Sequence, residues 1–410
     1  MTSTKSATRP SGLRCATNVL EHSLLRIDDR IKDRSFPMKF RFQFKMPISW
    51  SRVKSVPKLG QDPREMSSKD LEAIKADPRF SGSRVEIRPE GPLVSVWHEG
   101  VTTAMVEAFT AHHGYGYSLF PGSTRRRRIL DGLPPRYLSL DKGGSGEESF
   151  VGEIPSLETL ILCRDLTESV DLSALSRLKT LNLFEDIPRF TGVFENKSLE
   201  VFKAEGLMRS HFEELGSHVS LRTLDLRRSK IKDFSSLGNL TNLRFLNIAF
   251  MNGVSDFSWV ANCTNLEYLW IEYNGPIEDT SFLRHLPRLK ELRMQSLNSN
   301  TIIEDIAGLR SLGTLSLRAL MKREPPEKPT SLEPLRGHPK LCVFVAEGLW
   351  HIESVEPLAE CPELAHVSVE GTGSKVANTS IEELIKAPKI RFVKIPGSRR
   401  WTSPLSCTRF

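Results

Sequence analysis

Residues 221–294 read LRTLDLRRSKIKDFSSLGNLTNLRFLNIAFMNGVSDFSWVANCTNLEYLWIEYNGPIEDTSFLRHLPRLKELRM, and one pattern occurs in them four times. The blocks LRTLDL, LRFLNI, LEYLWI and LKELRM open at Leu221, Leu243, Leu266 and Leu289, spaced by 22, 23 and 23 residues. The segments between them, IKDFSSLGNLTN, VSDFSWVANCTN and IEDTSFLRHLPR, are also alike. Each sets an apolar residue, an Asp, a Ser and further apolar residues at the same offsets. A period in the range of about 20–50 residues is the mark of a repeat architecture.

The pattern has a physical reading. In LxxLxL the last two apolar residues are two apart, so on an extended segment they share one face and the residue between them points the other way. A single such strand has no core of its own. Stacked copies pair as a parallel sheet with strands about 4.7–4.9 Å apart, and the apolar residues of the second half-pattern close the far side of each coil. The fold class expected is α/β: a solenoid with inward leucines and an open face built from the intervening residues.

The two linked half-patterns, LxxLxLxx and IxDxSxLxxLxx, resemble the leucine-rich repeat family, in particular the short subtype of bacterial internalins and intracellular phosphatase-regulating proteins. That resemblance implies a horseshoe with a parallel concave sheet and a concave face that binds another macromolecule; no enzyme and no cofactor is expected, since no catalytic or phosphate-binding motif stands in the chain. Most members carry Asn three residues after the last strand leucine. Here Asn274 stands there, while Met251, Leu297, Leu320 and Leu349 occupy equivalent places. The coils LEVFKAEGL and LCVFVAEGL resemble each other more than their neighbours and set Ala204 and Ala346 at the third apolar site.

Outward from this centre, block-opening positions continue through Leu157, Leu178, Leu199, Leu221, Leu243, Leu266, Leu289, Leu312, Leu341, Leu364 and Ile390. A degenerate first coil, PPRYLSLDKGGSGEE, supplies Leu138 and Leu140. The step of 29 residues from Leu312 to Leu341 holds MKREPPEKP, whose prolines and charges predict an exposed loop. The organisation expected is a basic leader over 1–66, a small α+β capping unit over 67–130, the repeat array over 131–398 and a tail over 399–410. Within the cap, VEIRPEGPLVSVW alternates as two strands around a turn, VTTAMVEAFTAHHG reads as a helix closed by Gly114, and GYGYSLF as a further strand.

Composition narrows the function classes. The chain of 410 residues has 57 Lys and Arg against 50 Asp and Glu, a net charge of +7. Residues 1–66 hold 14 of the basic and 6 of the acidic residues, so the array is close to neutral and the excess does not argue for nucleic acid. For that leader, disorder, a later start at Met38, Met46 or Met66, and a targeting peptide are the readings. Glu21, Asp28, Asp29 and Asp33 speak against the last. No apolar run approaches the ~18–20 residues of a membrane span. Cys15, Cys163, Cys263, Cys342, Cys361 and Cys407 include no CxxC pair and read as reduced thiols. A cytoplasmic chain is expected, with non-classical secretion as the alternative.

Signals of chemistry are weak. There is no phosphate loop, dinucleotide fingerprint, HExxH or GxSxG elbow. His98, His112 and His113 read as a helix end rather than a metal site, and Arg125–Arg128 as a solvated turn. The sequons at Asn196, Asn239, Asn262 and Asn378 read as by-products of repeat turns. A ubiquitin-ligase effector would need a catalytic domain beyond the repeats, and the tail is too short for one. What remains is the open face of the central coils. Arg227, Arg244, Phe245, Phe250, Tyr268, Trp270, Tyr273 and Arg293 are expected there as an exposed aromatic and arginine patch, the residue types that dominate protein interfaces. The function expected is a protein–protein interaction scaffold or regulator, with an exported effector or surface adhesin of internalin type as the alternative.

Overall fold

The computed structural model describes residues 136–141, 148–163, 169–184, 190–207, 213–251, 253–299, 301–319, 329–349, 352–371 and 376–395, and the backbone of strands at 83–88, 91–96, 116–119 and 401–402. They fall into two compact units, one ending at Leu309 and one beginning at Arg310. The leader, the MKREPPEKP insertion, Leu320, the three histidines near residue 100 and the arginine run lie outside the described residues.

In the first unit, β1 (Ser83–Arg88) and β2 (Gly91–Val96) form an antiparallel hairpin, and β3 (Gly116–Leu119) runs parallel to β2. β4 (Tyr137–Asp141), the strand of the degenerate coil, pairs parallel with β3. The repeat strands follow: β5 (Thr159–Cys163), the two-residue β6 (Val170–Asp171) on the back, β7 (Thr180–Phe184), β8 (Phe190–Thr191) pairing with β6, and β9 (Val201–Glu205). Then come β10 (Thr223–Arg227), β11 (Phe245–Ala249), β12 (Tyr268–Glu272) and β13 (Glu291–Leu297). From β4 through β5, β7 and β9 to β13 every neighbouring pair is parallel and in register, so equivalent repeat positions stand side by side.

The leucine pattern builds this stack because each inward position is filled by an apolar side chain that reaches the coils on either side. Leu224, Leu226, Leu246, Ile248, Leu269, Ile271, Leu292 and Met294 are all fully buried, as are the block-opening leucines from Leu157 to Leu289. The Asp and Ser of the second half-pattern turn the chain at the back. Asp233, Asp256 and Asp279 each accept the backbone N–H two residues on, from Ser235, Ser258 and Ser281, at 2.9 Å. Each bond starts a short 3-10 turn (Ser235–Asn239, Ser258–Asn262, Ser281–His285). The bond also holds the Asp279 carboxyl below the usual carboxylate range. Helix α1 (Ile302–Ile306) takes the place of the 3-10 turn in the last coil of this unit, with Ile302, Ile303 and Ile306 inward.

Asn274 does what the family pattern asks of it. Its Oδ1 accepts the Met251 N–H at 2.9 Å and its Nδ2 donates to the Ile248 carbonyl at 2.9 Å, tying two coils at the strand exit. Where Met251 and Leu297 stand instead, the side chain is buried as part of the core. Asn196 is buried and donates to the carbonyls of Leu175 and Leu178 at 2.8 Å, so that sequon is a structural ladder residue.

The second unit repeats the scheme. β14 (Thr314–Ala319), β15 (Val343–Glu347), β16 (His366–Glu370) and β17 (Phe392–Lys394) are parallel and in register, and β18 (Trp401–Thr402) closes antiparallel on β17. Its backs are more helical, with α2 (Glu356–Ala359) and α3 (Asn378–Lys386). Leu312, Leu341, Leu364 and Ile390 are buried, as their spacing requires. Cys263, Cys342 and Cys361 carry free thiols.

Candidate functional site

The outward positions of β10–β13 form three zones set by distance along the strand. At the entry edge, successive coils set Glu158, Lys179, Glu200, Arg222, Arg244, Glu267 and Lys290 in line, alternating in charge except at the neighbouring Arg222 and Arg244. Arg136 and Arg177 pair with Glu158 at 2.7 and 3.2 Å, Arg222 with Glu200 at 3.7 Å, and Lys290 with Glu267 at 2.6 Å. Burial pushes the Glu158 carboxyl up, but the Arg136 guanidinium and the other cations outweigh it and hold the group low. Arg244 belongs to this ladder, 4.0 Å from Glu267, and lines a shallow groove with Arg222, Ser220 and Asn242.

The middle zone is the aromatic one. In register, Phe245 stands beside Tyr268, and Asn247 beside Trp270, which stands beside Arg293. The Phe245 ring meets Trp270 edge-on at 5.0 Å and Tyr268 tilted at 6.4 Å. The Arg293 guanidinium lies over the Trp270 ring at 4.6 Å, while Trp270 Nε1 donates to Glu291 Oε1 at 3.0 Å. Glu291 also accepts from Arg293 Nε at 2.6 Å. On β10, Arg227 Nε donates to Asp225 Oδ1 at 3.1 Å, and from β11 Asn247 Nδ2 donates to the same oxygen at 2.7 Å. These bonds hold the outward side chains in an ordered grid.

At the exit rim, seven coils among the described residues turn through a left-handed residue. Gly206, Gly348 and Gly371 take that position in their coils with φ of 67° to 118°, and Arg228, Phe250, Tyr273 and Ser296 hold it at φ of 52° to 63°. A bulky side chain there carries a steric penalty that glycine avoids. Phe250 and Tyr273 nonetheless stand there, stacked at 4.7 Å and 9°, with Tyr273 48% exposed.

The eight residues expected from the sequence therefore all sit on this side of the sheet, divided among the zones. Arg227, Phe245, Tyr268, Trp270 and Arg293 come together in the middle, Phe250 and Tyr273 at the rim, and Arg244 on the charged edge. One expectation needs correction: Phe245 is not an exposed aromatic. It is 3% exposed, because Tyr268 and Trp270 on the next strand close over its ring. Asp225, Asn247, Glu272 and Glu291 belong to the grid as well. Their outward parity was readable in the sequence, but they are neither aromatic nor Arg and did not enter the expected set.

A family model for leucine-rich repeats in pairs of copies matches residues 219–262 and 264–311. This chain carries leucine-rich repeats. Among solved structures it is similar to an internalin from Listeria monocytogenes, with 17% identity over 73% of this chain and 90% of that one and a TM-score of 0.51. It is also similar to a leucine-rich repeat protein from Leptospira interrogans, with 15% identity over 82% and 88% and a TM-score of 0.50. At these identities the likeness is one of fold. No curated protein sequence matches the chain. Among the described residues no helix of the leucine-rich repeat fold is long and apolar enough to cross a membrane, and no group of three or more His, Cys, Asp or Glu is placed to hold a metal ion.

Proposed function

We propose that this leucine-rich repeat chain is a non-enzymatic protein-binding scaffold that engages its partner through the open sheet face of β10–β13. The observation that carries the reading is the ordered set of Tyr268, Trp270 and Arg293, half-exposed yet fixed by the Glu291 bonds and by Phe245 beneath. Aromatic and arginine side chains held rigid on an open face are the anchors that dominate protein interfaces. The stacked pair Phe250 and Tyr273 extends the surface at the rim. A cytoplasmic location belongs to the same reading and is supported by the free thiols of Cys263, Cys342 and Cys361.

The test is a pull-down with residues 67–410 as bait, followed by titration of the recovered partner against wild type, Trp270→Ala and Tyr268→Ala. Each substitution is expected to weaken the complex by about 1–3 kcal/mol. If both variants fold and bind as wild type does, the partner uses another surface and the reading fails.

A further inference from the structure

The row of charges at the entry edge changes its rule at one place. Coils alternate in sign on either side, but Arg222 and Arg244 are neighbours, joined where the Arg222 carbonyl accepts the Arg244 N–H at 2.8 Å. Adjacent strands lie about 4.8 Å apart, and like charges set directly opposite each other are destabilising. The acids beside them relieve this only in part. Glu267 is bonded to Lys290 at 2.6 Å and stands 4.0 Å from Arg244, while Arg222 is 3.7 Å from Glu200. Neither of those two distances is a hydrogen bond, whereas Arg136 in the same row donates to Glu158 twice, at 3.0 and 2.7 Å. Among the described residues, the Arg222 and Arg244 guanidiniums make no hydrogen bond to any acceptor.

These two guanidiniums face open space. The Arg222 and Arg244 side chains are 44% and 43% exposed, and they line a groove of about 370 Å³ with Ser220, Asn242 and Asn265. The backbone of the preceding coil fixes the asparagines. Asn242 Nδ2 donates to the Val219 carbonyl at 2.8 Å and Asn265 Nδ2 to the Thr241 carbonyl at 3.0 Å. A carbonyl only accepts, so each amide is oriented and its Oδ1 is the remaining end, with no hydrogen bond among the described residues. The groove therefore combines a pair of cationic forks with two oriented acceptors, and all of these side chains are partly or wholly open to solvent.

We infer that this groove receives an Asp or Glu side chain from an extended segment of the protein partner, its carboxylate shared by Arg222 and Arg244 and its backbone N–H given to an asparagine Oδ1. A carboxylate has two oxygens and about four lone-pair sites, so it can accept from both guanidiniums and replace their repulsion with charge-assisted bonds. Glu200 and Glu267 bracket the pair, so the site takes one compact negative charge. A nucleic-acid strand would lay its successive phosphates over those acids. The groove adjoins the aromatic zone, since Arg244 directly precedes Phe245, and the inference rests on the reading of that face as the binding surface.

The experiment selects random 12-residue peptides displayed on phage against the full chain, then titrates the enriched peptides with wild type, Trp270→Ala, Arg222→Ala, Arg244→Ala and Arg244→Glu. The expected result is an Asp or Glu fixed at one position of the Trp270-dependent peptides, with affinity falling at least fivefold in each Arg→Ala variant and further in Arg244→Glu. Exchanging that acid for Lys in the peptide should restore binding to Arg244→Glu and abolish it for wild type. Trp270-dependent peptides that show no acidic position, or that bind both Arg→Ala variants as tightly as wild type, overturn the inference and leave the binding face standing. A phosphoserine at the acidic position that binds more tightly than Glu assigns the groove to a dianion and overturns the carboxylate. Selection that yields no Trp270-dependent peptide overturns the inference and the binding face together. Thermal melts accompany the titrations; the Arg→Ala variants should melt with wild type, because both side chains are solvated and neither is hydrogen-bonded to its acid.

Discussion

Phe245→Ala is the substitution on which outward parity and burial give opposite answers. Parity alone sets Phe245 on the open face, where truncation would leave folding within about 0.5 kcal/mol of wild type. The structure shows a ring 3% exposed, in edge contact with Trp270 at 5.0 Å and tilted contact with Tyr268 at 6.4 Å. Withdrawing such a ring from water contributes about 1.5–3 kcal/mol, and each aromatic pair roughly 0.5–1.5 kcal/mol more. An enclosed Phe→Ala change costs about 3–5 kcal/mol, but this site opens to solvent once Trp270 shifts, so part of the cavity can collapse or fill. The expected loss is about 2–4 kcal/mol. Leu269→Ala, fully enclosed between sheet and back, should lose as much or slightly more, and Arg222→Ala on the exposed edge little.

Repeat arrays unfold in segments, so the measurement should read locally as well as globally. Guanidinium chloride unfolding followed by circular dichroism gives the midpoint, and amide hydrogen exchange of β11 and β12 shows where protection is lost. If Phe245→Ala melts within about 0.5 kcal/mol of wild type, the ring is not covered, and the rigidity argued for Trp270 and Tyr268 goes with it. A large loss has a practical consequence. Phe245 is then unfit as a probe of binding, and Trp270 and Tyr268 are the positions at which affinity and stability can be separated.

Three further outcomes are expected. At the left-handed rim position, Tyr273→Gly should be more stable than Tyr273→Ala by about 1 kcal/mol, because only glycine escapes the steric cost; equal midpoints would refute the strain. His218 is buried with Nε2 on the Phe194 carbonyl at 2.8 Å, and burial lowers its pKa, with Lys197 acting in the same direction and the Phe194 carbonyl and Glu214 against it. The unfolded chain therefore binds the proton first, so stability present above about pH 6.5 is lost as pH falls toward the folded pKa; thermal melts of wild type and His218→Gln from pH 5 to 8 should diverge at the acid end. Burial pushes the Cys263 thiol up to about 12, so it should resist alkylation at pH 8 until the array is unfolded, and rapid labelling of the native protein would contradict its enclosure.

The coil stack was legible because its determinants are local and repeated. A period of 22 or 23 residues, two inward leucines two apart and an Asp that turns the chain recur often enough to fix which residues face the core, and Leu246, Ile248, Leu269 and Ile271 are all buried as that reading requires. Cover on the other face is a different kind of property. Whether Phe245 is exposed depends on the size of Tyr268 and Trp270, 23 and 25 positions away, and parity carries no information about it. The left-handed rim was half visible. Gly206, Gly348 and Gly371 mark it, but Arg228, Phe250, Tyr273 and Ser296 disguise the same backbone conformation in the central coils.

The charge pairing of the grid, by contrast, could have been read from single strands. Residues two apart on a strand share a face, so DLR in β10 and ELR in β13 each bring their own counterion: Arg227 for Asp225 and Arg293 for Glu291. β12 breaks the rule. Two positions before Glu272 stands Trp270 and two positions after it stands Asn274, whose side chain is spent on Met251 and Ile248. The neighbouring strands cannot lend a cation either, because each has used its own. A carboxylate without a counterion of its own on β12 follows from that arithmetic of pairs, and burial there pushes the Glu272 carboxyl up against the pull of Arg293 and Arg227.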